Sequence, residues 1–197
     1  MKNGGNIMSK ATFRIGLSGH QHLGDEATVQ FVSQQLRDLL STYRQIARDK
    51  GQEIVACSAL AMGADQLFVK TALEVGIPVE VVIPCAKYAE IFSTPEALDE
   101  YHRLLNSCQN VHSLPFEDCS DDAYLAAGHW IVDHSDLVIL VWNGYPAAGK
   151  GGHSRIVFMD RYTFASLNNY ALCEFLCHRR ARLPSQPSVT EACPTAG

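Results

Sequence analysis

Two apolar runs of this chain each end in a glycine-bearing turn. The first run, Phe13–Leu17, leads into Ser18–His20, and the second, Leu137–Trp142, leads into Asn143–Gly144. Glycine at the end of a buried strand allows a sharp turn and lets backbone N–H groups approach a ligand. In an open parallel sheet such strand ends lie along one edge, where ligands bind. The two turns therefore predict a site for a nucleotide or another phosphate-bearing molecule.

Strand-like and helix-like segments alternate between these turns. The predicted strands span 12–18, 53–57, 78–83, 111–114 and 137–142. The predicted helices run from Asp25 to Lys50, from Gly63 to Gly76, over 96–107, and from Ser120 to about residue 134. This alternation predicts an α/β fold, a three-layer Rossmann-like domain with a mainly parallel sheet. Right-handed crossovers then place the ends of the first, second and fifth strands near one crevice.

The domain organisation follows from length and composition. With 197 residues, 47% of them hydrophobic, the chain can form one domain with a substantial core. Residues 12–180 are interpreted as a single nucleotide-binding domain, in which 153–178 is expected to be mostly helical. We expect residues 1–11 to be a flexible N-terminus and the Pro-, Ser- and Thr-rich residues 181–197 to be a disordered tail.

Charge and cysteine content narrow the class of protein. The net charge of −5 argues against a dedicated nucleic-acid surface. No apolar run approaches the ~20 residues that span a bilayer, and the N-terminus lacks the apolar segment of a signal peptide. We therefore expect a cytoplasmic protein without a membrane contact. The seven cysteines are scattered and odd in number, so we interpret them as reduced thiols, several of them in the core.

Four motifs together resemble a known family. They are Ser18–His20, Ser58–Asp65, Ala127–Asp136 and Val141–Gly152, in this order. They are similar to motifs of the SLOG superfamily, which includes the Rossmann-like domains of DNA-processing protein A and the LONELY GUY phosphoribohydrolases. The resemblance implies a domain that binds nucleotides or nucleotide-derived ligands. It also implies one of two roles: ligand sensing in bacterial conflict systems, or hydrolysis of nucleoside monophosphates.

Three departures separate this chain from many of those relatives. Many relatives begin with Gly-His-Arg, whose arginine is a cationic partner for phosphate, whereas this chain has Gln21 at that position. Asn143 stands where the relatives frequently have Asp. After Gly151–Gly152, the relatives usually continue with Thr-Ala-Asp, whereas this chain has His153–Arg155. The resemblance therefore supports ligand binding more directly than it supports the chemistry of any one relative.

The predicted ligand site combines backbone donors with a few side chains. The N–H groups of Gly144–Gly152, at an expected helix start, suit a phosphate, and Lys150 adds a charge-assisted contact. His20 can hydrogen-bond a phosphate or a ribose. Asp65 either bonds a ribose hydroxyl or caps the helix that follows, and Trp142 either stacks on a base or closes the core. The complete predicted set is Ser18, Gly19, His20, Ser58, Gly63, Asp65, Trp142, Asn143, Gly144, Lys150, Gly151 and Gly152.

This chain lacks the carboxylate that the catalytic relatives use. The resemblance implies that phosphoribohydrolases cleave the glycosidic bond with a Glu in the pattern Pro-Gly-Gly-x-Gly-Thr-x-x-Glu. The segment Gly149–Arg155 has neither the Thr nor a Glu after it, which leaves Asp65 as the catalytic candidate. Ligand sensing is therefore the main hypothesis. A nucleotide N-glycosidase or phosphoribohydrolase is the alternative, and a DNA-associated scaffold is the third possibility.

Cofactors and partners follow from the same hypothesis. We expect a nucleotide-derived ligand and no tightly bound cofactor. His20 and His22, or Cys173, Cys177 and His178, are the candidate metal ligands, but no second half at zinc-site spacing accompanies them, so no metal is expected. Ligand binding would change a contact with a second copy or with an effector protein.

Overall fold

The structure is a computed structural model that describes residues 11–142, 164–167 and 170–176. The strands are β1 (Thr12–Gly19), β2 (Glu53–Ser58), β3 (Val79–Ile83), β4 (Asn110–Ser113), β5 (Leu137–Trp142), β6 (Phe164–Leu167) and β7 (Tyr170–Leu176). The helices are α1 (Glu26–Asp49), α2 (Ala64–Glu74), α3 (Pro95–Leu105) and α4 (Asp121–His134), with a short 3-10 helix at Tyr88–Ile91. The predicted alternation of strands and helices is confirmed up to β5.

The strands form one sheet in the order β4-β3-β2-β1-β5-β7-β6. The first five strands are parallel, and β1 lies between β2 and β5. At the start of this pairing, Arg14 N donates to Asp136 Oδ2 over 2.8 Å, and Asp136 N donates back to the Arg14 carbonyl over 2.8 Å. Successive strands run outward from β1 to β4 and then return to its other side at β5. The predicted α/β fold is confirmed, with a switch point between β1 and β5.

Helices cover both faces of the sheet. Successive side chains of each strand point to opposite faces and therefore pack against different helices. Ile139 and Val141 of β5 belong to the larger buried cluster, on the side of α1, α2 and α3. Val138 and Leu140 belong to the smaller cluster, together with Ile131 of α4. Among the helices of the described ranges, none is long and apolar enough to cross a bilayer.

The larger cluster supplies most of the apolar burial. Phe68, Leu36 and Leu40 from the helices meet Ile15 and Leu17 from β1, and all five are fully buried. Burial of one such side chain contributes about 1.5–3 kcal/mol relative to leaving it exposed. This packing holds the carboxyl ends of β1 and β2 in place beneath α1 and α2.

Side-chain caps mark the helix starts. Asp25 accepts from Thr28 N over 2.9 Å at α1, and Ser120 accepts from Ala123 N over 3.2 Å at α4. Both starts were predicted from the sequence. Thr94 caps α3 in the same way, by accepting from Ala97 N over 3.2 Å. These bonds satisfy N–H groups that have no partner inside the helix.

Part of the segment predicted to be helical forms strands instead. β7 pairs antiparallel with β5, with Cys173 opposite Leu140, and β6 pairs antiparallel with β7. The expectation of helix is therefore wrong for 164–167 and 170–176. Pairing with β7 satisfies the backbone N–H and C=O groups along the outer side of β5. This pairing outweighs the helical conformation that the local sequence pattern indicated. The predictions for residues 1–10, for the rest of 153–180 and for the tail 181–197 lie outside the described residues.

Two cysteines depart from the prediction of reduced thiols. Cys85 and Cys119 are joined by a disulfide, with their Cα atoms 5.3 Å apart. The loops after the neighbouring strands β3 and β4 run side by side, and Ala86 N donates to the Phe116 carbonyl over 2.8 Å. Among the described cysteines, Cys57 and Cys108 are free, and burial raises the pKa of their thiols to about 12 and about 11.

Candidate functional site

The carboxyl edge of the sheet brings three predicted segments together. Gly19 lies in register with Val141, and His20 N donates to the Val141 carbonyl over 3.2 Å. On its other side, the His20 carbonyl accepts from Ala64 N, the first residue of α2, over 3.0 Å. The turn after β1 is thus bonded both to the end of β5 and to the start of α2. Ser18 and His20 are half-buried in this position.

Two predicted glycines are required by close packing in this turn. A Cβ on Gly19 would overlap the Cβ of Ala64 and lie 3.0 Å from the Cβ of Val141. Gly63 has a φ of +81°, and a Cβ there would overlap the backbone of Gln21. Both glycines therefore let the start of α2 contact the β1 turn, a close approach that larger residues would prevent.

Asp65 faces the turn between β2 and α2. Its Oδ2 accepts from Ser58 Oγ over 3.1 Å and from Ala59 N over 3.2 Å, and Ser58 Oγ accepts from Leu60 N over 3.0 Å. Asp65 is 5% exposed and Ser58 is fully buried. This network holds a strained turn, since Leu60 has a φ of +58°. The residue that caps α2 is Gly63, without a side-chain bond, so Asp65 acts on the preceding turn.

The buried carboxyl is also electrostatically unusual. Burial raises the pKa of Asp65 to about 7, although the hydrogen bonds from Ser58, Ala59 and Ala61 act in the opposite direction. A carboxyl group in this range exchanges its proton near neutral pH. Such a group occurs at catalytic centres and also in buried structural networks.

The other predicted site residues lie at or beyond the end of β5. Trp142 is the last residue of β5 and lies opposite Ala171 in β7. Asn143, Gly144, Lys150, Gly151 and Gly152 lie outside the described residues. β5 ends at Trp142, so its carboxyl end lies at the same edge of the sheet as Ser18–His20.

A groove beside the β1 turn was not predicted. It has a volume of about 610 Å³ and lies between loop residues 21–24, Val29 of α1, the start of α2, and Glu100 of α3. The residues that line it around α2 are Gly63, Gln66, Leu67 and Lys70. These four follow the i, i+3, i+4, i+7 spacing of one helix face. Of these four residues, only Gly63 belonged to the predicted site. The polar residues Gln66 and Lys70, on the same helix face, were the sequence signal that could have indicated the groove.

The candidate metal ligands lie only partly within the described residues. No group of three or more His, Cys, Asp or Glu side chains is placed there to hold an ion. His22 lies on the rim of the groove, whereas His20 belongs to the β1 turn. The candidate pair Cys177 and His178 lies outside the described residues.

Comparisons with known proteins yield similarity only among solved structures. No protein-family model matches the chain, and no curated protein matches it. The DNA processing protein A of Streptococcus pneumoniae matches with a TM-score of 0.46 at 19% identity, over 66% of this chain and 41% of that one. The DNA processing protein A of Helicobacter pylori, a single-stranded DNA-binding protein, matches with a TM-score of 0.43 at 16% identity, over 65% and 53%.

A third solved structure, the structural-genomics target TM1055, matches with a TM-score of 0.39 at 13% identity, over 66% of this chain and 61% of that one. The chain thus spans from 41% to 61% of the length of these proteins. The likeness is one of fold.

Proposed function

We propose that this protein is a cytoplasmic sensor that binds a nucleotide or nucleotide-derived ligand at the carboxyl edge of its sheet. The observation that carries the proposal is the position of the β1 turn. His20 is bonded through its backbone to both Val141 and Ala64, so Ser18–His20 stands at the switch point between β1 and β5. Ligands of open α/β sheets bind at this point.

The phosphate of the ligand is assigned to the segment that follows β5. β5 ends beside Gly19, and the glycines and Lys150 of the sequence after it, 143–152, are the donors that phosphates prefer. Ser18 adds a hydroxyl and His20 an imidazole on the β1 side. The ligand would therefore lie between the ends of β1 and β5.

The burial and hydrogen bonding of Asp65 favour ligand binding without catalysis. A catalytic carboxylate must contact the reacting atoms. Asp65 is 5% exposed, and its carboxylate is held by Ser58 and Ala59. Its use as the catalytic group would require the β2–α2 turn to open.

A nucleotide N-glycosidase or phosphoribohydrolase is the second candidate, and one observation favours it. The pKa of Asp65, raised to about 7 by burial, suits a general acid or base at neutral pH. Hydrolysis of the glycosidic bond would then depend on Asp65, and Asp65→Asn would abolish release of free base while leaving the fold intact.

Thermal shift with product analysis tests the proposal. Nucleoside mono-, di- and triphosphates, cyclic nucleotides, ADP-ribose and a single-stranded oligonucleotide are added separately, and the compounds are recovered afterwards. A ligand that binds only the folded state raises the melting temperature. Recovery of an intact small ligand supports the sensor, release of free base supports the enzyme, and a shift with the oligonucleotide alone contradicts both.

A matched pair of variants locates the site. His20→Ala removes an imidazole from the β1 turn and is expected to weaken binding of the hit about tenfold, the loss of about one hydrogen bond. His129→Ala removes an exposed imidazole from α4, on the opposite face of the sheet, and is expected to leave binding unchanged. Equal affinities for the two variants would place the ligand away from the β1 turn.

A further inference from the structure

We propose that the groove between the β1–α1 loop and α2 is the subsite for the nucleobase of the ligand. The inference rests on the proposed function and adds to it the part of the ligand that this surface recognises. The chemical class is a planar, uncharged heterocycle with hydrogen-bonding groups on its edge.

The size and walls of the groove suit a flat ring. Its volume of about 610 Å³ is large enough for a flat ring, and the groove is open to solvent. Leu23, Val29 and Leu67 supply apolar surface for the faces of the ring. Gly24 leaves room along the edge, because no atom lies within 4 Å of the place that its Cβ would take.

Two glutamines supply the polar groups. Gln21 lies on the loop side of the groove, and Gln66 lies on the α2 side. An amide carries both donors and an acceptor on one planar group, which lets it pair with the edge of a base. Amide side chains on opposite walls therefore suit a heterocycle better than they suit an anion.

The side-chain nitrogen of Gln66 has no partner among the described residues. This atom, Nε2, is shielded from solvent and makes no hydrogen bond with any group that the structure describes. An unsatisfied buried donor costs about 1–3 kcal/mol. Because the terminal amide rotates about a soft torsion, Nε2 can turn toward an acceptor in the groove. A base would then relieve this cost on binding.

The rim of the groove carries both signs of charge. Lys70 and Glu100 both line the groove. Lys70 lowers the pKa of Glu100, after the larger effect of hydrogen bonds from Arg103. Glu100 accepts from Arg103 Nε and Nη2 over 2.6 and 2.7 Å, so it stays ionised. A neutral ring is accommodated, whereas an added anion would face this carboxylate.

The groove adjoins the proposed phosphate position. A Cβ on Gly63 would lie 2.5 Å from the His20 carbonyl, so the groove begins where the β1 turn ends. The same backbone also reaches the end of β5, where His20 N donates to the Val141 carbonyl. A single nucleotide can place its phosphate at the crevice and its base in the groove, with the sugar crossing this backbone.

Calorimetry with ligand fragments tests the assignment. The probes are adenosine, guanosine, cytidine, uridine and ribose 5-phosphate, each with wild type, Gln66→Leu and the control Gln34→Leu. Gln34 bonds Asp38 on the exposed surface of α1. Gln66→Leu is expected to weaken the best nucleoside at least tenfold, about 1.4 kcal/mol, and to leave ribose 5-phosphate unchanged. Gln34→Leu is expected to change neither.

The outcomes separate this inference from the proposed function. If a nucleotide binds wild type and Gln66→Leu equally, the groove assignment is overturned while the nucleotide-binding function stands. If neither nucleotides nor fragments bind wild type, the function itself fails. Should Gln66→Leu not fold, NMR of the wild-type glutamine amides decides: adenosine must shift the side-chain signals of Gln21 and Gln66 and not that of Gln34.

Discussion

The hydroxyl of Ser58 donates a hydrogen bond to the carboxylate of Asp65, and their oxygens lie 3.1 Å apart in the buried turn between β2 and α2. This bond joins residues seven positions apart at the edge where the ligand is proposed to bind. It joins the end of a central strand to the first turn of α2. One buried carboxyl therefore links the end of β2 to the start of α2 at this edge.

Asp65 is expected to make stability depend on pH. Burial raises its pKa to about 7 in the folded protein, from an ordinary value of 3.8. Between these values the folded chain holds a proton that the unfolded chain releases, so the free energy of unfolding falls as pH rises from about 4 to about 7.

Asp65→Asn is expected to remove this slope, because it keeps the acceptor oxygen and carries no charge. The difference across the window is expected to be a few kcal/mol, since one pKa unit corresponds to about 1.4 kcal/mol. Urea unfolding from pH 4 to pH 8 measures it, with Asp38→Asn, on the exposed side of α1, as the control. If the free energy of unfolding of Asp65→Asn still falls with pH, the pH dependence comes from another group.

Gly19→Ala is expected to destabilise the protein by about 1–3 kcal/mol, the cost of overpacking a filled site. Its methyl group would overlap Ala64 and press on Val141. Gly24→Ala separates this effect from backbone strain. Gly24 has a φ of +81° and no atom within 4 Å of an added Cβ, so that variant carries strain without a clash.

Denaturant unfolding compares the two glycine variants, and nucleotide binding is measured on each. We expect Gly19→Ala to weaken binding as well as stability, because α2 must move away from the β1 turn. Gly24→Ala is expected to cost about 1–2 kcal/mol. A Gly19→Ala protein with wild-type stability would show that this packing is looser than the structure indicates.

Removal of the disulfide is expected to lower stability by about 2–5 kcal/mol. Cys119→Ser opens the link to Cys85, which closes a sequence separation of 34 residues. Cys108→Ser is the control, since that thiol is free. Thermal melts with and without a thiol reductant measure the effect: wild type and Cys108→Ser should respond to reduction, whereas Cys119→Ser should not.

Asp25→Ala is expected to destabilise the protein by about 1 kcal/mol through loss of the α1 cap. Hydrogen bonds from the Thr28 side chain and backbone hold the pKa of Asp25 below its ordinary value. Asp25→Asn, which keeps an acceptor, is the control and should cost less. Urea unfolding at neutral pH compares the two. Equal stabilities for both variants would mean that the cap contributes nothing measurable.

The arrangement of β1, β2 and β5 was predictable because parallel strands with right-handed crossovers leave few alternatives. Asp25 and Ser120 marked helix starts through local chemistry that a sequence displays directly. β7 was not predictable in this way. Its strand conformation depends on the backbone edge that β5 presents, a tertiary effect absent from the local pattern.

Some residues of the candidate site could be predicted from the local sequence, and others could not. Ser18, Gly19 and Gly63 were visible as strand-end and helix-start residues. The inward orientation of Asp65 depends on Ser58 and Ala59, which approach it only when the β2–α2 turn closes. The groove was hidden for the same reason, because Gln21 and Gln66 belong to different loops and helices and meet only in the folded chain.

The central position of β1 has a consequence for how the protein responds to its ligand. Arg14 and Asp136 are bonded although they are 122 positions apart, and the same strand pair carries the β1 turn at its other end. The crevice therefore exists only after distant parts of the chain have joined. A ligand held there is linked to unfolding of the whole sheet rather than to fraying of one loop. Occupancy is thus expected to slow amide hydrogen exchange in β1, β2 and β5 together.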